Sequence, residues 1–364
     1  MSRRRRASVR APHRLAAVAR RDGATLARCG SIALTTRRIG RKRSREVSQC
    51  IFITGRGHSG STILDILLGN SSQIQSVGEL LGGLSRADHE VCSCGLTMPV
   101  CAFWREVQSR VEAEGITWDQ ARGISQRGAA ALWRVWRADK ADPVMIRRAQ
   151  ITRALARAIT ACAGKSHLAD SSKTPTHGLL LLRHLPEARL IHLVRHPRSF
   201  LRSYVWMIRN HKHRGVRWYR LVGGNVPLFL VCMAATWTLV NLACDLMARA
   251  FPGRVVRVRF EDLCARPASE LDRIGRVFGL DLADLGSKAA GQEPLVVGHI
   301  IGGNLVRPAD AVRFDPGGGP ARPPLPRWLK SVSFVLCGPL MWRYGYRLGG
   351  GAPPPARSKA MPTR

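Results

Sequence analysis

The residues Gly55-Arg56-Gly57-His58-Ser59-Gly60-Ser61-Thr62 stand between a strand-like run, Cys50 to Thr54, and an apolar helical pattern of Ile63, Leu64, Ile66, Leu67 and Leu68. A strand, a glycine-rich turn and a helix N-terminus in direct succession make an anion trap. Unpaired backbone N–H groups and the positive end of the helix dipole converge there, and glycine lets the backbone approach. The spacing nearly fits the phosphate-loop pattern G-x-x-x-x-G-K-[ST], with Gly55, Gly60 and Thr62 in place. Ser61 occupies the lysine position, which argues against a nucleoside triphosphatase or a nucleotide kinase. The charge at this loop comes from Arg56 and His58 instead.

A second group of anion-binding side chains lies in Arg195-His196-Pro197-Arg198-Ser199-Phe200-Leu201-Arg202-Ser203-Tyr204. Arg195 closes a strong strand pattern, and Ser203 follows eight residues later in a helix. A folded-back turn would bring a guanidinium and a hydroxyl onto one phosphate. That phosphate would be distinct from the one in the glycine loop, as in a nucleotide phosphorylated at both its 5′ and 3′ positions.

These groups need a scaffold that presents strand ends together. Strand patterns at 50–54, 167–169, 189–194 and 255–260 alternate with helical patterns at 60–69, 176–184, from about 198, 228–250 and 268–278. The stretch 104–163 reads as a helical insert with Trp133 and Trp136 on an apolar face. Alternation of this kind predicts an α/β fold, a phosphate-loop-like parallel sheet with helices on both faces. Ligands of such sheets sit beyond the carboxyl ends of the strands. The 104–163 insert and an apolar segment at 328–346, with Trp328, Phe334, Trp342 and Tyr344, are candidates to shape a second substrate site. The latter reads equally as a packed core helix or as a surface resting on a membrane.

The chain carries 58 Lys and Arg against 24 Asp and Glu, a formal charge of +34. Fifteen of the basic residues fall in residues 1–47, opposed only by Asp22 and Glu46. That segment reads as a disordered arm. It is a nucleic-acid or anionic-membrane arm, an Arg-rich transit peptide, or sequence upstream of the true start. The rest divides into a domain at 48–348 and a Pro-rich disordered tail at 349–364. No secretory signal is visible, which suits the cytoplasm, with peripheral contact to an anionic membrane as the open alternative. The apolar run 226–244 approaches membrane-spanning length, but Pro227, Asn241 and the following Asp245 and Arg249 favour a buried amphipathic helix. Most cysteines stand among apolar neighbours, as reduced core thiols do. Cys92, Cys94 and Cys101, with His89 just before them, form a cluster readable as a metal site, a local disulfide or plain thiols.

Taken together, the motifs resemble the sulfotransferases that use 3′-phosphoadenosine 5′-phosphosulfate. The G-x-G-H-S-G-S-T loop is similar to their 5′-phosphosulfate loop, and R-x-P-R-x-x-x-x-S is similar to their 3′-phosphate site. Further likeness to a bacterial branch lies in V-G-E-L (Val77 to Leu80), C-S-C-G with Cys101-Ala102-Phe103-Trp104, D-S-S-K (Asp170 to Lys173), R-F-E-D-L (Arg259 to Leu263) and the segment His299 to Arg307. The resemblance covers about residues 50 to 348. It implies that Arg56, Gly57, His58, Ser59, Gly60, Ser61 and Thr62 hold the donor's 5′ end and that Arg195 and Ser203 bind the 3′-phosphate. Arg307, with Gly303 and Asn304, stands in for a late Arg-Lys-Gly segment of better-known members.

The reaction implied is in-line transfer of a sulfonyl group to a hydroxyl, or less commonly an amine, of a carbohydrate, lipid or small molecule, without a metal. His58 stands where many members have lysine or arginine, so Arg56 is expected to share its work at the leaving oxygen. Glu79 is the candidate general base and Lys173 the candidate contact to the sulfonyl group or the acceptor. Glu261 and Asp262 suit capping or loop bracing, and Trp237 and Asn241 suit the core. The chief rival is a serine hydrolase, with Ser59 on a nucleophile elbow, but Ser61 takes the place of that motif's second glycine. A basic nucleic-acid-binding protein is the other rival. Its charge peak lies in the arm rather than the folded part, so no specific nucleic-acid partner is expected.

Overall fold

β1 (Cys50–Gly55) alternates its side chains between two cores, and this alternation organises the rest. Cys50 and Phe52 join Leu168, Leu190 and the buried faces of several helices on one side of the sheet. Ile51 and Ile53 join Ile191, Leu193, Val256 and Val258 on the other. Both faces of the strand are apolar because both are covered, as in parallel sheets generally.

The computed structural model describes residues 50–125, 128–212, 216–303, 312–314 and 322–346, all within one unit, Glu46–Arg364. After β1 come α1 (Ser61–Gly69), β2 (Ile74–Ser76), α2 (Leu80–Leu84), α3 (Ala102–Ala113), α4 (Trp118–Arg122), α5 (Ala129–Arg137) and α6 (Pro143–Ala163). β3 (His167–Lys173), α7 (Pro175–His184), β4 (Ala188–Val194), α8 (Pro197–Arg209), α9 (Arg217–Leu221), α10 (Val226–Ala250) and β5 (Val255–Arg259) follow. The chain then forms α11 (Phe260–Ala265), α12 (Pro267–Phe278), α13 (Ala283–Ala290), β6 (Pro294–Leu295), β7 (Val312–Arg313) and α14 (Arg327–Arg343).

The main sheet has the order β2-β3-β1-β4-β5, and every neighbouring pair is parallel. From β1 the chain goes first to one flank, β2 and then β3. It later crosses to the other flank, β4 and then β5. β1 is therefore the point where the winding reverses, the position at which such sheets open a crevice. The α/β, parallel-sheet architecture expected from the alternating pattern is the one observed.

Local chemistry sets several boundaries. Asp142 caps α6 by accepting from the N–H groups of Val144 and Met145, with Pro143 in the first turn, and Gly164 ends the helix in the left-handed region. Pro197 opens α8 and Asn225 caps α10.

Four details differ from the sequence expectation. The strand expected at 167–169 runs on to Lys173, so D-S-S-K lies within β3. The short edge strand β2 had no period long enough to read. Trp133 and Trp136 are exposed, and Val135 is the buried residue of α5, so that helix turns its tryptophans to solvent rather than to an apolar core. α10 buries Phe229, Met233, Trp237, Asn241 and Cys244 but exposes Leu239, Leu242 and Leu246. It is thus apolar on both sides rather than amphipathic, and it is long and apolar enough to cross a membrane by length and composition. The arm at 1–47, the tail at 349–364 and Arg307 lie outside the described residues.

Candidate functional site

Because the five strands are parallel, their carboxyl ends share one edge of the sheet. Reading along that edge, β2 delivers Glu79, β3 delivers Lys173, β1 delivers the loop 55–62, β4 delivers Arg195 and β5 delivers Phe260. Residues scattered over two hundred positions of sequence thereby converge.

The loop depends on glycine at two points. A Cβ on Gly55 would strike the Leu193 carbonyl of β4, and one on Gly60 would overlap the Phe260 ring; both residues have positive φ. Gly60 caps α1 in the left-handed region, leaving the first-turn N–H groups of α1 without helical partners. A Cβ on Gly57 would meet nothing within 4 Å, so the turn has open space before it. Ser59 is buried, and its Oγ has no hydrogen-bond partner among the described residues. An orphaned hydroxyl in an anion-binding turn suits a donor to a bound oxyanion. It does not suit the exposed nucleophile that a hydrolase elbow requires. Ser61 is likewise buried, and Thr62 is half-buried.

His58 adopts a positive φ of 65°, and its ring meets the edge of Tyr204 at 4.9 Å between centroids. Desolvation pushes its imidazole down to about 4, helped by the nearby cations Arg322, Lys173, Arg56 and Arg195. The residue is nonetheless exposed at the surface, which weakens the desolvation. Without a bound anion it is still neutral at pH 7 and offers a single N–H rather than a positive charge. Arg322 belongs to a Gly/Pro-rich stretch with no pattern to single it out in the sequence. Arg56 is engaged by α10: its Nε donates to Thr236 Oγ1 at 3.1 Å, and Nη2 lies 3.3 Å from Met233 Sδ.

Glu79 and Lys173 form an ion pair between the ends of β2 and β3. Lys173 has a positive φ of 64°, and its carbonyl accepts from Thr54 Oγ1 at 3.4 Å, beside the start of the glycine loop. The turn carrying Glu79 is held through four successive N–H groups. Gly78 donates to Asp65 Oδ2 at 3.0 Å, Glu79 to the Ile301 carbonyl at 2.8 Å, Leu80 to Asp170 Oδ1 at 3.3 Å, and Leu81 to Ser172 Oγ at 2.9 Å. Burial raises both Asp65 and Asp170 to about 7, with their hydrogen bonds opposing the shift. The signal for Asp65 in the sequence is that it is the lone acid of the apolar helix Ser61–Gly69. In the D-S-S-K motif, the first and third residues act by bracing this turn.

At the end of β4, Arg195 donates from Nη1 to the His58 carbonyl at 3.1 Å and lies over the Phe260 ring at 4.8 Å. The Arg195 carbonyl accepts from Trp237 Nε1 at 3.0 Å. Asn241 bonds His192 Nε2 at 2.8 Å and the Trp237 carbonyl at 2.7 Å, so both residues brace β4 from α10, as expected of core residues. Glu261 accepts from the His196 N–H at 2.9 Å and from the Tyr346 hydroxyl at 2.9 Å, a loop brace as expected. Ser203, expected beside Arg195 at a phosphate, lies inside the fold. It is fully buried, and its hydroxyl donates to the Ser199 carbonyl at 3.2 Å. Ser199, one turn earlier in α8, is partly exposed.

The cysteine cluster also rearranges. Cys92, Cys94 and Cys101 are free thiols, and the imidazole beside them belongs to His299, not to His89, which lies exposed.

A family model described as "Sulfotransferase family" matches residues 50–284, well over half of the chain. Among solved structures, the chain is similar to the sulfotransferase domain from the curacin biosynthetic pathway, at 17% identity and a TM-score of 0.48, with 82% of this chain and 98% of that one covered. It is also similar to the sulfotransferase STF1 from Mycobacterium tuberculosis H37Rv, at 16% identity and a TM-score of 0.41, covering 66% and 70%. A third similar structure is the sulfotransferase domain from the Synechococcus PCC 7002 olefin synthase, at 17% identity and a TM-score of 0.38, covering 66% and 76%. No curated protein sequence matches it.

Proposed function

Because the chain belongs to the sulfotransferase family, we propose that it moves a sulfonyl group from 3′-phosphoadenosine 5′-phosphosulfate to a hydroxyl of a carbohydrate, lipid or small-molecule acceptor. The observation that carries this reading is the shared edge, where one parallel sheet aligns the glycine loop with the Glu79–Lys173 pair on one side and Arg195 on the other.

The N–H groups at the start of α1 and the hydroxyls of Ser59, Ser61 and Thr62 bind the 5′-phosphosulfate end. The orphaned Ser59 Oγ and the open space before Gly57 are the features of this chain that fit such a group. Arg195 supplies a forked cation to the 3′-phosphate, with the partly exposed Ser199 better placed than Ser203 to add a neutral bond. Glu79 takes the proton from the acceptor hydroxyl as its oxygen bonds to sulfur and the bond from sulfur to the bridging oxygen breaks, leaving 3′-phosphoadenosine 5′-phosphate. Lys173 orients that carboxylate and neutralises charge on the transferring group. His58, neutral before binding, donates one hydrogen bond at the leaving oxygen, and an anion bound beside it would favour its protonated form. None of these steps asks for a metal at the loop.

Titration calorimetry of the full chain with 3′-phosphoadenosine 5′-phosphate, in buffer without magnesium, tests the reading. Binding at micromolar or better affinity is expected, and no binding would sink it.

The acceptor reading favours a substrate at a membrane surface, and a cytoplasmic, peripheral location goes with it. α14 exposes Trp328, Phe334, Val335 and Trp342 together with Arg327, Lys330 and Arg343, and α10 exposes its leucine stripe. Interfacial tryptophans among basic side chains suit an anionic bilayer. Vesicles containing phosphatidylserine should sediment the full chain more strongly than pure phosphatidylcholine vesicles. A Trp328→Ser, Trp342→Ser variant that sediments equally well would assign that affinity to the N-terminal arm instead.

A further inference from the structure

The cysteine turn and His299 come from opposite ends of the domain, yet they meet with the spacing of a coordination sphere. The Sγ atoms of Cys92, Cys94 and Cys101 and one ring nitrogen of His299 all lie within 4.8 Å of one another. His299 Nδ1 is 3.5 Å from Cys92 Sγ and 3.3 Å from Cys101 Sγ, and Cys94 Sγ is 3.6 Å from Cys101 Sγ. Zinc bonds of ~2.3 Å to sulfur and ~2.0 Å to nitrogen put the edges of a ligand tetrahedron at about 3.5 to 3.8 Å. The three separations of 3.3 to 3.6 Å are close to those edges, and the remaining pairs lie within 4.8 Å. A disulfide would need the sulfurs at about 2.05 Å.

The backbone around the four groups is already built. Cys92 N–H donates to the Leu96 carbonyl at 2.8 Å and Gly95 N–H to the Cys92 carbonyl at 2.9 Å, with Gly95 at a positive φ, so the C-S-C-G turn folds back on itself. Ser93, between two of the cysteines, stitches the turn to both sides of His299. Its hydroxyl donates to the Gly298 carbonyl, its N–H donates to the Ile300 carbonyl at 2.9 Å, and its Oγ accepts from Ile300 N–H at 2.9 Å. Phe103 stacks flat on the His299 ring, with centroids 4.7 Å apart and planes 4° apart, which fixes the ring's orientation. Cys92 and Cys101 are buried, whereas Cys94 and His299 are half-buried, leaving a way in for an ion.

We propose that Cys92, Cys94, Cys101 and His299 bind one zinc ion. Three thiolates and one imidazole are soft-to-borderline ligands in a tetrahedral set, a combination that selects zinc over the hard cations. All four positions are taken by protein, so the site is structural and leaves no place for a substrate. Its effect on the rest of the molecule runs through two residues. Ile301, just beyond His299, accepts from Glu79 N–H at 2.8 Å and donates to the Val77 carbonyl at 3.0 Å. Gly302 N–H donates to Glu90 Oε1 at 2.8 Å. The ion therefore clamps the cysteine turn to the segment that braces Glu79, whatever reaction the glycine loop serves.

The test is metal content and metal spectroscopy on the full chain, purified without chelators. Elemental analysis should find about one zinc per chain, as expected of a closed four-ligand site. Wild-type protein stripped of zinc with a mercurial and refilled with cobalt(II) should show the intense visible bands of a tetrahedral, thiolate-rich site. His299→Ala and Cys94→Ser should lose zinc, whereas His89→Ala should keep it. Substoichiometric zinc together with a cobalt spectrum lacking thiolate bands overturns the site. So does a Cys94–Cys101 disulfide in a digest of the native protein, or a His89→Ala variant that loses zinc while His299→Ala retains it. The wild-type cobalt spectrum decides the matter even where a variant fails to fold.

Discussion

The Lys173 ammonium donates to Glu79 Oε1, joining two residues 94 positions apart at the ends of neighbouring parallel strands. Their side chains are 17% and 24% exposed, so the pair is sheltered but remains within reach of a substrate. The backbone under Glu79 is fixed by Asp65, Ile301, Asp170 and Ser172, which makes the carboxylate a positioned group rather than a mobile surface acid.

If Glu79 is the base, Glu79→Gln keeps the shape of the turn but cannot accept the acceptor's proton. Turnover should fall by about 100-fold or more, the usual contribution of a general base. The affinity for 3′-phosphoadenosine 5′-phosphate should change little. Steady-state kinetics beside calorimetry reads both, and a fully active variant removes Glu79 from the role.

Arg195 touches both the glycine loop and Phe260, so its loss should be felt in nucleotide binding rather than in chemistry alone. Arg195→Ala is expected to weaken binding of 3′-phosphoadenosine 5′-phosphate by about 10-fold or more, the worth of hydrogen bonds to a charged group. Arg195→Lys should recover only part of it, because an ammonium cannot fork onto a phosphate. Equal calorimetric affinities for wild type and Arg195→Ala would place the 3′-phosphate elsewhere. Ser203→Ala should leave the affinity unchanged, since that hydroxyl is fully buried and occupied within α8.

Gly60 sets the start of α1 against the first residue of α11 through a positive φ of 92° and a close approach to the Phe260 ring. Gly60→Ala combines backbone strain with a steric clash and should cost about 2 kcal/mol or more. Chemical denaturation measures it. Phe260→Ala placed in the same chain should relieve the clash but not the strain, so recovery is expected to be partial.

Acid should destabilise the fold, with a sign set by opposing groups. Burial pushes His177 down to about 3 and His192 and His196 down to about 4, below their ordinary value, so below pH 6.5 the unfolded chain binds protons that the folded chain refuses. Stability from these groups is lost as the pH falls from 6.5 toward 4. Asp65 and Asp170, raised to about 7, act the other way, binding protons in the folded state through the same window. Asp65→Asn removes one opposing carboxylate and should steepen the fall by about 1 kcal/mol per pH unit. Urea titrations at several pH values between 4.5 and 6.5 read the slope, and an unchanged slope would mean that Asp65 is ionised in the fold.

What the amino-acid sequence determined by itself was local. The strand, the glycines at Gly55 and Gly60 and the helix after them are written within about twenty residues, because period-2 and period-3.6 patterns and left-handed glycines act over short range. The alternation of such units likewise determined a parallel sheet, and hence that the motifs at strand ends share an edge. Tertiary structure decided everything that depends on which strand neighbours which and which way a helix turns. The order β2-β3-β1-β4-β5 made Lys173 the partner of Glu79 and turned Asp65 and Asp170 into braces. The packing of α8 buried Ser203, and that of α5 left Trp133 and Trp136 outside. His89 stood nearest the cysteines in the chain, yet His299, some two hundred residues away, is the one beside them. Burial and ion pairing are sums over neighbours in space, and proximity along the chain carries almost none of that information.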